Sequence, residues 1–73
     1  MSYTLPLVIP IIFDHNQTYY FFARLILIDT DHDLTLWHVT IRYILSDKII
    51  YVATLSYELM VKVHNELFQY GKH

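Results

Sequence analysis

Three short polar connections constrain this chain more than any other feature: Asp14-His15-Asn16-Gln17, Asp29-Thr30-Asp31-His32-Asp33 and Ser46-Asp47. They separate four segments, Tyr3–Phe13, Thr18–Ile28, Leu34–Leu45 and Lys48–Thr54, all rich in the β-branched and aromatic residues that strands favour. Parallel neighbours need a crossover of about a dozen residues, which none of these connections can supply. Each connection carries Asn, Asp or Ser, whose side chains bond their own backbone in turns. The expectation is an antiparallel meander. With the one glycine at Gly71, left-handed turn positions should fall to Asn16 and one of the aspartates.

After Thr54 the apolar period changes. Leu59, Met60, Val63 and Leu67 recur at helical spacing and predict a helix over Ser56–Tyr70. Ser56 or Thr54 can cap its first amides, and Gly71 suits the position just past its end. The predicted fold class is therefore α+β with element order ββββα, one domain over residues 1–73, the helix packed on one sheet face. Pro6 and Pro10 share a parity, so both missing N–H groups point to one side. That places the first strand at a sheet edge with its proline side outward.

Alternation assigns Leu5, Leu7, Ile9, Ile11, Phe21, Ala23, Leu25, Leu27, Trp37, Val39, Ile41 and Tyr43 to the core face. The opposite face should be polar if it met water. Instead it carries Val8, Ile12, Tyr20, Phe22, Ile26, Ile28, Leu36 and Ile44, mixed with Arg24, His38, Thr40 and Arg42. The helix repeats the anomaly, with a second stripe of Tyr57, Val61, His64 and Phe68 beside the first. Composition makes this surplus matter. The chain has 73 residues, 55% hydrophobic and only 16% charged, and no cysteine. A core this small is marginal, and small domains compensate with disulfides, metals or partners. Without cysteine, dense packing or association remains. A slipped strand register or a ligand cavity within the sheet would also absorb some of the surplus.

Chemical motifs are sparse. Asp29, Asp31 and Asp33 match the first positions of a calcium loop, but Leu34 stands where glycine is required and Thr40 where a bidentate Glu is required. The histidines, His15, His32, His38, His64 and His73, form no metal-ligand spacing. Ser2, Ser46 and Ser56 read as terminus, turn and cap, and one glycine cannot make a phosphate loop. No catalytic residue, metal or cofactor is expected. The net charge of −2 argues against non-specific nucleic-acid binding, which needs clustered cations. The apolar runs Leu5–Phe13 and Tyr19–Leu27 are each about half of the ~20 residues a spanning helix needs. No basic leader precedes them, so the expectation is a soluble, cytoplasmic chain with no membrane partner.

The expected function is a non-enzymatic protein–protein interaction module that forms a homo-oligomer, a dimer first, or docks on a larger protein. Tyr20, Phe22, Arg24, His38 and Arg42 on the sheet and Tyr57, Val61, His64 and Phe68 on the helix are its expected partner-binding residues. Small inhibitors encoded by phages or mobile elements, such as anti-defence proteins, share this motif-free character. The alternatives are a single-stranded nucleic-acid-binding module, with rings and arginines on a sheet, and a small-molecule or enzymatic site formed at an oligomer interface.

Overall fold

A computed structural model describes residues 11–69. Four antiparallel strands, β1 (Ile11–His15), β2 (Tyr19–Asp29), β3 (Leu34–Tyr43) and β4 (Ile49–Ser56), form one sheet in the order β1-β2-β3-β4. A single helix, α1 (Tyr57–Gln69), follows β4 directly. This is the expected ββββα fold, with β1 at one edge and β4 at the other. The expected placement of Leu5, Leu7, Val8 and Ile9, of Pro6 and Pro10, and of Gly71 lies outside the described residues.

The turns use Asx chemistry in place of glycine. Asn16 Oδ1 accepts from the N–H groups of Thr18 and Tyr19, both at 2.8 Å. The Asn16 N–H donates to the Tyr19 carbonyl at 3.0 Å, leaving Gln17 and Thr18 as the whole loop. Asn16 therefore turns the chain through its side chain. The left-handed positions belong to Asp33 (φ 49°) and Asp47 (φ 57°), and Asp is one of the few L-residues that tolerate that region. Asp29 Oδ1 accepts from the amides of Asp31 (3.1 Å) and His32 (3.3 Å), so the Asp-rich segment spends its first carboxylate on its own turn. The third connection begins earlier than the alternation predicts. The Asp47 N–H donates to the Tyr43 carbonyl at 2.9 Å, which ends β3 at Tyr43 and puts Ile44 and the fully exposed Leu45 in the turn.

The core is Phe21, Ala23, Leu25, Trp37, Val39, Ile41 and Met60, with Ile12, Tyr19, Ile28, Leu55, Val61, Val63, Leu67 and Phe68 packed around it. Three parts of the expected core are corrected. The Asn16 turn pairs Ile12 with Ala23 and Ile11 with Arg24, so Ile12 faces the core and Ile11 is 55% exposed on the other face. A bulge between Leu25 and Leu27 pairs Leu27 with Leu36 and Ile28 with Thr35, exchanging their faces. On the helix, Leu59 is 51% exposed, while Val61 and Phe68 pack inward.

One oblique crossing explains the helix result. At its start Tyr57 lies 6.1 Å from Trp37 of β3 between ring centroids. Farther along, Phe68 meets Phe21 of β2 edge-on at 6.5 Å, and His64 reaches Asp14 of β1. The Val61–His64–Phe68 flank therefore lies over β2 and toward β1. Leu59, about 100° from Met60 in the opposite sense, sits on the flank turned away from them. Ser56 caps the helix, its Oγ accepting from the Leu59 N–H at 3.4 Å.

Replacing Met60, which is 2% exposed, with alanine should cost about 2–5 kcal/mol of stability. Leu59→Ala should cost under about 1 kcal/mol. Urea unfolding followed by far-ultraviolet circular dichroism checks both, and equal costs would contradict the inward and outward assignments.

Candidate functional site

The helix covers one sheet face. On the other face the strand registers set four cross-strand rows: His15–Tyr20–Arg42–Ile49, Phe13–Phe22–Thr40–Val52, Ile11–Arg24–His38–Thr54 and Leu27–Leu36–Ser56. All five sheet residues expected to bind a partner, Tyr20, Phe22, Arg24, His38 and Arg42, thus share this open face and occupy adjacent rows on β2 and β3. Arg24 sits directly across from His38, and Tyr20 directly across from Arg42.

Phe13 organises the aromatic part of the face and was absent from the expected set. Its ring centroid lies 5.5 Å from Tyr20, 6.4 Å from Phe22 and 6.2 Å from His15, within the range where rings attract. It is 58% exposed. Sequence alternation could have found it only if the loop had been placed at Gln17-Thr18, because that placement alone sets the parity of β1. Phe13, Tyr20, Phe22, Thr40, Arg42 and Asp47 line a groove of about 430 Å³. Arg42 Nη1 donates to Asp47 Oδ1 at 3.3 Å across its rim. Arg24 is exposed and makes no ion pair among the described residues. The face therefore presents rings, aliphatic side chains and a guanidinium unpaired among the described residues.

The expected helix stripe is divided. Val61 and Phe68 pack on the core, and Tyr57 is exposed beside Trp37. His64 stacks on Phe68 at 4.3 Å, meets the Phe21 ring at 4.9 Å, and its Nε2 donates to Asp14 Oδ2 at 2.9 Å. Three of the four residues thus tie the helix to the sheet. The Asp14–His64 pair joins residues 50 positions apart, a contact no local pattern reveals. No Ser, Thr or Tyr hydroxyl is bonded to His64 among the described residues. His38 and His64 lie on opposite sides of the sheet. No group of three or more metal-ligating side chains converges among the described residues, and none of their helices is long and apolar enough to cross a membrane.

The chain matches no known protein family, no curated protein and no solved structure.

The Asp14–His64 bond has a pH signature. The hydrogen bond from His64, helped by the His15 N–H, holds the Asp14 carboxyl below its ordinary value of 3.8. A folded pKa below the unfolded one stabilises the fold above the unfolded value, and that gain is lost as pH falls through the folded value. Asp14→Asn should therefore lower the urea midpoint at neutral pH, and the deficit should vanish well below pH 3.8. A deficit that stays constant with pH would show that the charge of Asp14 contributes nothing. Asp29, whose carboxyl His32 holds down in the same way, is common to both proteins and cancels.

Proposed function

We propose that this chain is a non-enzymatic interaction module that docks on a larger protein through the open sheet face and acts by occluding the surface it covers. The single observation that carries this reading is the Phe13–Phe22–Arg24 centre of a sheet face that no other described element covers, the helix closing the opposite face. Aromatic residues and arginine are the types enriched where protein interfaces concentrate their energy. Contiguous exposed apolar surface rimmed by polar residues is a mark of interaction sites.

Charge supports a foreign partner on this face over a second copy. Two open faces laid together would bury Arg24 with no carboxylate to receive it, because the four rows contain none. The groove's one carboxylate, Asp47, is already engaged by Arg42. Burying an unpaired guanidinium costs several kcal/mol. A partner that brings a carboxylate flanked by apolar side chains meets both halves of the surface. Inhibition by occlusion, of the kind phage-encoded anti-defence proteins perform, is an activity that fits an open face of rings and a guanidinium.

The test places a photo-crosslinker at Phe13 in cells that express the chain natively and identifies what it captures. The expected result is one protein species, bound through an acidic surface, with Arg24→Glu and Phe22→Ala each weakening its affinity at least about tenfold. Lys62→Ala on the helix should leave binding unchanged. Capture that survives both substitutions would overturn the assignment. So would capture of single-stranded nucleic acid with an affinity that falls steeply with salt, as phosphate contacts require.

A further inference from the structure

From Tyr51 to Ser56 the edge formed by β4 is unprotected. Natural sheets blunt their edges with charge, proline, bulges or a covering element, because unpaired backbone groups recruit other strands. β4 reads Ile-Ile-Tyr-Val-Ala-Thr-Leu-Ser, with no charged residue, proline or glycine. The register shift opposite Ile41 and Arg42 leaves Ile50 as an extra residue, so Tyr51–Ser56 is the regular run. No described strand lies beyond it. Every second residue there turns its N–H and C=O away from β3. Apolar side chains flank the edge on both sides of the sheet. Val52, 54% exposed, and Ile49 lie on the open side; Tyr51 lies on the helix side, where Leu59 occupies the helix flank turned away from β1.

We propose that β4 pairs antiparallel with β4 of a second copy about a two-fold axis, giving one continuous eight-stranded sheet. Three features select a second copy as the occupant. Antiparallel pairing of a strand with itself is inherently two-fold, so each copy supplies the same donors and acceptors the other lacks. The run is uncharged, so the pairing buries no unpaired charge, in contrast to two open faces laid together over Arg24. The pairing also consumes the vulnerable edge and closes, leaving β1 as the outer strand at both ends. Tyr51 and Leu59 of the two copies then meet on the helix layer, and Val52 meets its surroundings on the open layer. The dimer joins two open faces side by side into one platform. It stands independently of what those faces bind.

Sedimentation velocity on the full chain tests this, with far-ultraviolet circular dichroism as the fold control. The expected species has twice the 8.8 kDa chain mass. Tyr51→Lys on the helix side and Thr54→Lys on the open side should each weaken the dimer at least about tenfold without changing the spectrum, while Arg24→Glu leaves it intact. A wild-type chain that stays monomeric well above micromolar concentration overturns the proposal. So does a dimer insensitive to both lysines and broken by Arg24→Glu, which would assign association to the open face. If either lysine variant loses its spectrum, amide exchange of the wild type decides. Alternate amides in Tyr51–Ser56 should gain protection with concentration, and exchange independent of concentration overturns the pairing. Partner binding by the open face is read separately, through Phe22→Ala, so failure of one idea leaves the other standing.

Discussion

One helix can cover only one face of a four-stranded sheet, and the rest of this structure depends on that limit. Thirteen helical residues cross the sheet obliquely from β3 and β4 toward β1. Met60, Val63 and Leu67 run along the line of contact, and Phe68 and His64 close the far end on Phe21 and Asp14. Nothing in the described chain is left to cover the other face. A sequence meant to expose that face to water would alternate polar residues there. This one places Phe13, Phe22, Leu27 and Leu36 there instead, with Arg24 among them.

The same limit separates two kinds of surface that composition alone would merge. The open face mixes rings with the Arg24 guanidinium, which makes no ion pair among the described residues. The β4 edge is uncharged and largely apolar, with outward backbone groups that another strand can pair. A single account of surplus hydrophobicity would assign both to one interface. The position of Arg24 argues that they serve different contacts.

Much of the architecture was legible in the sequence, for physical reasons. Short Asx-rich connections left antiparallel hairpins as the only topology, and the change from period two to helical spacing fixed where the sheet ends. The odd-numbered residues Phe21, Ala23, Leu25, Trp37, Val39 and Ile41 are all buried as alternation requires. Alternation fails where one residue is added or moved. The bulge at Ile26 exchanged Leu27 with Ile28, and a loop of Gln17-Thr18 exchanged Ile11 with Ile12 and brought Phe13 to the open face. Such events leave almost no trace in composition, yet each reverses a face. The helix shows a different limit. Leu59 and Val61 stand about equally far from Met60 around the axis, so periodicity cannot rank them. The crossing direction buries one and exposes the other, and that direction is a tertiary fact. Tyr20, Phe22, Arg24, His38 and Arg42 share one face, as alternation predicts, because they lie between the bulge and the turns, where alternation is unbroken.

The central claim is that the helix closes one face while the Phe13 face stays open in the folded chain. Hydroxyl-radical footprinting of the native protein, read residue by residue, measures it most directly. Phe13 should oxidise readily, and Phe21 and Met60, on the closed side, should be protected until the chain unfolds. Protection of Phe13 to the level of Phe21 in the free chain, or ready oxidation of Met60, would contradict the account.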